Sequence, residues 1–421
     1  MADGAGEFAD EARERANALP LDCIDLLDLE HWRTDTIYPY FARLRRDDPV
    51  HRHPAGQHPD GAFWSVTRFE DIVAVDTDHE TFSSEPSITL EDPLDDFDLP
   101  MFIAMDRPRH DEHRKAVSPI VSPANLAILE PLIRARIQAT LDDLPIGEPF
   151  DWVDRVSIDL TAQMLATLFD VPLEDRRKLT YWSDVSTTTP DAGLLDPETF
   201  NERWMAIMGE CAEYFAVLWN ERVNAPPKGD LISMMAHNPA TRDMDPQTFL
   251  GNIILLIVGG NDTTRNSMSG SVRLMDANPR ERAKLAANPT LIPSMVSEAI
   301  RWQTPLAYMR RTASRDVELG GRSIAKGDKV VMWYLSGNRD ATVIQDPDRY
   351  IIDRPRPRHH LSFGFGIHRC VGNRLAELQL KVLWEEIMLR FPEINVLSLS
   401  RVPSAFVHGY ASMETVIPRR F

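Results

Sequence analysis

The chain has 421 residues, 43% of them hydrophobic, and a formal net charge of −18. That length can bury a cofactor-sized cavity, and the acidic balance argues against nucleic acid or an anionic membrane as partner, since both require a basic footprint. The longest apolar run, Ile253 to Val258, is too short to span a bilayer, and the acidic opening Met1-Ala-Asp-Gly-Ala-Gly-Glu does not read as a signal peptide, so a soluble cytoplasmic protein is expected.

In chain order, Phe63-Trp64-Ser65-Val66 reads as a strand. Helical periodicity then covers Pro131 to Leu144, Val156 to Leu168 and Phe200 to Val223, with breaks at Val171-Pro172 and Ala225-Pro226-Pro227. Asp245-Pro246 supplies a cap and first position for a helix that stops at Ala277-Asn278-Pro279, roughly 45 Å away at 1.5 Å per residue. Its first half, Phe249 to Val258, is apolar on nearly every face and so should be buried. Yet Gly259-Gly260-Asn261-Asp262-Thr263-Thr264 follows, and glycines and polar groups there cost stability. Either Thr263 bonds back to a carbonyl one turn earlier and kinks the helix, or the glycines admit a flat cofactor and a small ligand while carboxylate and hydroxyl relay protons.

Further on, Glu298 and Arg301 lie one helical turn apart, an arrangement usually found as a weak surface salt bridge. Strands follow at Val317-Glu318-Leu319 and Lys329-Val330-Val331-Met332-Trp333, and Gly372 to Leu389 is an amphipathic helix. No repeat and no Gly- or Ser-rich linker divides the chain, so the expected fold is mainly α with small β-sheets. Three widely spaced cysteines, Cys23, Cys211 and Cys370, suit neither a disulfide framework nor a C-x-x-C metal site and read as reduced thiols. Between Asp353 and Arg374 stand five arginines (354, 356, 358, 369 and 374) against a single aspartate, a basic island suited to an acidic partner or a merely solvated loop.

Within that island, Phe363-Gly364-Phe365-Gly366-Ile367-His368-Arg369-Cys370-Val371-Gly372 places a cysteine in a glycine-rich turn just before a helix. Backbone N–H groups and the helix dipole there favour a thiolate, which is a metal ligand, although a lone cysteine is more often a small buried hydrophobe. The pattern Phe-x-x-Gly-x-His-x-Cys-x-Gly resembles the haem-binding loop of the cytochrome P450 family. The helix break resembles that family's oxygen-activation stretch, and Glu298-x-x-Arg301 its buried charge pair, with Arg349 as third member.

The resemblance extends from Trp64 to the C-terminus. It implies a P450 fold over residues 31–421, with a long central helix crossing over a buried haem b, and an N-terminal extension at 1–30, partly disordered. Cys370 is the implied axial ligand of the iron, its sulfur favouring cleavage of dioxygen. Asp262 and Thr263 are the implied catalytic acid and alcohol. His110, Arg114, Arg311 and His368 are the implied propionate partners, with Arg107 replacing a proline common in the family. The apolar pocket would be lined by Leu255, Gly259, Leu306 and Phe406, its length set by the loop Ser84 to Phe102 and the region Asp184 to Trp219.

Segments such as Arg301-Trp302-Gln303-Thr304-Pro305-Leu306 are similar to soluble bacterial alkane hydroxylases. The expectation is therefore a monomeric monooxygenase that hydroxylates the terminal methyl of medium-chain n-alkanes, with electrons from NAD(P)H through a ferredoxin and its reductase. Omega-hydroxylation of fatty acids, hydroxylation of a terpene, a peroxide-driven variant and a non-catalytic haem sensor are the alternatives.

Overall fold

A computed structural model describes residues 4–93 and 99–421, so residues 94–98 of the Ser84 to Phe102 loop and the first three of the N-terminal extension lie outside it. The helix Pro246–Ala277 runs through the centre for 32 residues, or about 48 Å at 1.5 Å per residue. Asp245 caps it, its carboxylate accepting from Thr248 N at 2.9 Å and Thr248 Oγ1 at 2.7 Å, and the chain leaves it at Asn278-Pro279 as predicted. Phe249, Ile253, Ile257, Met268, Val272 and Met275 are buried in the main helical core. Around this rod pack Asp159–Phe169, Arg176–Ser186, Ile292–Gln303 and Asn373–Arg390.

A five-stranded sheet flanks the helices in the order Val50–His53, Phe63–Val66, Lys329–Met332, Met309–Ala313, Phe82–Ser83. Its one parallel pairing sets Phe63 opposite Lys329 and Val66 opposite Met332, joining segments far apart in sequence. The predicted strand at Val317–Leu319 forms a hairpin with Arg322–Ile324 through Gly320 and Gly321, both at positive φ. A third sheet, Phe150–Asp151, Tyr410–Val416 and Asn395–Arg401, closes the C-terminal end.

Two expectations shift. The helix predicted from Pro131 starts at Pro123, because Ser122 caps it by accepting from Asn125 N at 3.3 Å; Pro131 lies inside, where it forfeits one backbone bond. The segment from Val156 opens as a π-helical stretch, Val153–Ile158, before the α-helix Asp159–Phe169. The N-terminal residues also pack on the body: Ala16, Ile24 and Leu26 are buried with Trp32, whose indole donates to Leu26 O at 2.9 Å and stacks on Trp333 at 6.0 Å.

Glu298 and Arg301 form a fully buried two-point pair, at 2.7 and 2.8 Å, rather than a surface bridge. The third member is Arg354, not Arg349. Arg354 reaches Glu298 at 3.1 and 3.3 Å and is buried, whereas the Arg349 side chain is 72% exposed and lies 3.8 Å from Asp346. Arg349 contributes its carbonyl, which accepts from Arg354 at 2.9 Å. Removing one partner from a buried pair leaves an uncompensated charge, so Arg354→Ala should cost about 3–5 kcal/mol in thermal or denaturant unfolding. Arg349→Ala should stay within about 0.5 kcal/mol of the parent, and the reverse ranking would restore Arg349 to the cluster.

Candidate active site

The cysteine loop is drawn tight by its own backbone and by one carboxylate. Gly364 and Gly366 sit at φ +65° and +63°, while Gly372 has an ordinary φ and serves as the cap of Asn373–Arg390. Cys370 N donates to Phe363 O at 2.8 Å. Asp76, buried on another helix, accepts from Phe365 N at 2.7 Å, Tyr334 Oη at 3.1 Å and Arg311 Nη2 at 2.8 Å. A Cβ on Gly366 would stand 2.4 Å from Asp76 O, so only glycine fits. Asp76 carries no motif, and only a buried carboxylate found in the fold reveals it.

Cys370 opens onto a cavity of about 810 Å³. Burial pushes its thiol above the ordinary cysteine range, and the N–H groups of Gly372 and Asn373, with Arg114 and Arg369, offset this only in part. The expected stabilisation of the thiolate is thus present, but desolvation outweighs it.

Arg114, Arg311 and His368 line the same cavity, and the His110 ring lies 4.1 Å from that of His368, tilted by 56°, so four residues from three distant segments meet. Arg311 is held by Asp76, and Arg114 donates to Arg369 O. Ser84 Oγ fixes the His368 ring from 2.9 Å. Burial lowers the pKa of both histidines, that of His368 to about 2, so they are neutral here and the four form two cations and two imidazoles. His110 Nε2 and His368 Nδ1 are buried without a hydrogen-bond partner.

The central helix crosses the opposite wall unbroken. Gly259 faces open space, whereas a Cβ on Gly260 would stand 2.7 Å from Leu165 Cδ2, so one glycine leaves room in the cavity and the other admits a neighbouring helix. Thr263 lines the cavity, its hydroxyl donating to Gly259 O at 2.8 Å, the back-bond that the sequence left as one of two readings. Asp262 points the other way. Its carboxylate is buried against Arg265 at 2.8 Å and accepts from Ser183 Oγ at 3.2 Å, while Arg265 also holds Asp184 at 2.6 Å. Burial raises the Asp262 carboxyl above its usual range, against the pull of Arg265. The acid and alcohol, adjacent in sequence, therefore lie on two sides of the helix.

Leu255, Gly259, Leu306 and Phe406 all line the cavity. Leu306 is held by a β-bridge to Val407, and Ala307 N donates to Phe406 O at 2.9 Å. Met164, Leu165 and Leu168, from the helix Asp159–Phe169, complete the apolar wall. Their helical spacing was visible in sequence, but not which face they would turn to the cavity. Of the five arginines in the basic island, Arg354 is buried on Glu298 and Arg358 pairs with Glu377, leaving Arg356, Arg369 and Arg374 without an ion pair among the described residues.

A thiol facing an unbroken helix that carries a glycine pair, with cations and orphaned imidazoles beside it, defines a site built for a large anionic cofactor. Comparison with known proteins is concordant. Residues 228–406 match the cytochrome P450 family model. Linalool 8-monooxygenase from Pseudomonas putida is 35% identical over 408 residues, covering 93% of this chain and 98% of that protein. The methyl-branched lipid omega-hydroxylase of Mycobacterium tuberculosis strain H37Rv is 29% identical, over 94% and 95% of the two chains. The solved structure of CYP153D17 from Sphingomonas sp. PAMC 26605 superposes with a TM-score of 0.88 at 48% identity, over 95% of this chain and all of that one. The chain belongs to the cytochrome P450 family and is an oxidoreductase of the monooxygenase type. Among the described residues no single helix is long and apolar enough to cross a membrane.

The family implies a haem, and the residues present fit one: a sulfur facing the cavity, two arginines, and two buried imidazole nitrogens that lack partners. Gly366→Ala should lower haem retention, because the loop must shift to clear Asp76 O and adopts a positive φ at a cost of about 1–3 kcal/mol. The check is the Soret absorbance per protein after purification, and full loading of the variant would dismiss the clamp.

Proposed function

We propose that this chain hydroxylates the terminal methyl group of medium-chain n-alkanes, using electrons from NAD(P)H delivered by a separate ferredoxin and its reductase. One observation carries the substrate class: between Cys370 and the exposed rim, the cavity wall is formed by apolar side chains such as Met164, Leu165, Leu168, Leu255, Leu306 and Phe406. A chain without polar groups is the ligand such a wall favours. The likeness of short segments to alkane hydroxylases and the relative named as a lipid omega-hydroxylase support attack at a chain end. Hydroxylation of a terpene is the second reading, favoured by the linalool monooxygenase relative.

In this reading Cys370 holds the haem iron, while Arg114, Arg311, His110 and His368 take the propionates. A bound haem would supply the activation of dioxygen, one atom of which enters the substrate while the other leaves as water. Thr263, with its hydroxyl on the cavity side, hands over the proton at the reacting face, and Gly259 leaves room above it. Asp262 is the inner proton source, and it must leave Arg265 to reach the cavity. The apolar wall holds the chain end-on, since a terminal C–H bond is stronger than its neighbours and is selected only by position.

With octane, a ferredoxin and its reductase, the main product should be the primary alcohol; secondary alcohols as the main product would overturn the terminal assignment. Thr263→Ala should keep the spectral response to octane but lower product formed per electron consumed by about tenfold or more. Unchanged coupling would remove Thr263 from the proton path.

A further inference from the structure

The far end of the cavity differs from its apolar middle. Its exposed lining includes Pro59, Pro86 and Pro190, and the exposed charged residues of that lining, Glu91, Asp92 and Asp191, are all acidic. Asp60 stands beneath them, 3.1 Å from His58. Neither Glu91 nor Asp191 has an ion pair among the described residues, so both present uncompensated negative charge to an entering ligand.

Two cations lie close enough to have made this rim a carboxylate receptor: Arg310 and Lys329, from adjacent strands of the five-stranded sheet. Both are capped. Asp92 accepts from Arg310 Nη1 at 2.7 Å through one oxygen and lies 2.7 Å from Lys329 Nζ through the other. Backbone carbonyls add to this: Leu90 O accepts from Arg310 Nη1 and from Lys329, each at 3.1 Å, and Asp60 O accepts from Lys329 at 2.9 Å, while Arg310 Nε is buried without a partner. Arg310 is buried and Lys329 nearly so, whereas the Asp92 side chain is 57% exposed, so the carboxylate forms a lid over the pair. Arg310 and Lys329 lie behind Asp92 and outside the cavity lining, whose own cations, Arg114 and Arg311, stand at the cysteine end.

We infer that Asp92 is a specificity-determining residue: by closing off Arg310 and Lys329 next to the like-charged Glu91, with Asp191 on the exposed lining of the same cavity, it makes the rim exclude ligands with an anionic end group, so the substrate enters neutral. This rests on the reading of the cavity as a channel for an apolar chain, and within it separates alkanes, alcohols and terpenes from fatty acids. The physics is local. A carboxylate at the rim meets like charges and finds Arg310 Nη1 and Lys329 Nζ already engaged by Asp92, while a neutral end group of the same chain length loses nothing.

The test is titration of the haem-loaded protein with dodecanol and dodecanoate, reading the Soret shift at low and high salt, in the parent and in Asp92→Asn. A carboxylate is better hydrated than an alcohol, so the readout is how the ratio of the two affinities changes. At low salt Asp92→Asn should bring the ratio toward dodecanoate by about fivefold to tenfold, by uncovering two cations, and salt should weaken that gain. Should Asp92→Asn fail to fold, the surface double variant Glu91→Gln with Asp191→Asn decides, with a smaller shift of about twofold to threefold in the same direction. A ratio identical in parent and variants overturns the inference. Because binding is measured, its failure alongside primary alcohol formed from octane leaves terminal hydroxylation standing, and exclusion of dodecanoate with no primary alcohol sinks terminal hydroxylation alone.

Discussion

A single buried carboxylate organises the proximal side of this molecule. Asp76 accepts from the backbone of the cysteine loop, from a tyrosine hydroxyl and from the guanidinium of Arg311, so three segments distant in sequence share one anion. Taking a charge out of water is costly, and the cost is recovered only when all its donors are in place. That condition makes the arrangement cooperative. The turn at Gly366, the strand that carries Arg311 and the segment that carries Tyr334 are fixed together or not at all.

The central helix solves a second problem of polar burial. Its four-residue polar run is divided by the helical period: Asn261 and Asp262 turn toward neighbouring helices, where Thr161 and Ser183 bond to them and Arg265, one turn on along the same helix, pairs with Asp262, while Thr263 turns toward the cavity. The two glycines divide in the same way, one facing a side chain and one facing space. A helix can thus carry a polar run in the core when each face has its own partner, here at the cost of Arg265 Nε and Asn266 Nδ2 left unpaired. A separation of acid from alcohol follows from nothing more than about 100° of rotation per residue.

Sequence carried much of this and missed the remainder for identifiable reasons. The limits of Pro246–Ala277 and Phe200–Val223 were legible because caps, prolines and a long period coincide there. The cysteine loop was legible because its residue types are rarely combined. Arg354 was read as part of a surface island, since nothing local distinguishes an arginine that folds back onto Glu298 from one that faces solvent. Asp76 was invisible for the same reason. Strands such as Met309–Ala313, with two arginines in five residues, have no alternating pattern because both faces are covered. Long-range partners decide these cases, and spacing along the chain does not encode them.

Trp333 makes the amino-terminal segment more than an appendage. Its indole donates to Ser65 Oγ at 2.8 Å and its ring is covered by Trp32, which is in turn anchored to Leu26. The next residue is Tyr334, whose hydroxyl reaches Asp76. The wall behind the cysteine loop is therefore finished by residues near the start of the chain, some three hundred positions away. Trimming those residues, or crowding them with a fused tag, would strip cover from a buried tryptophan next to the loop's own anchor, so where an expression clone begins is a choice about the integrity of the pocket.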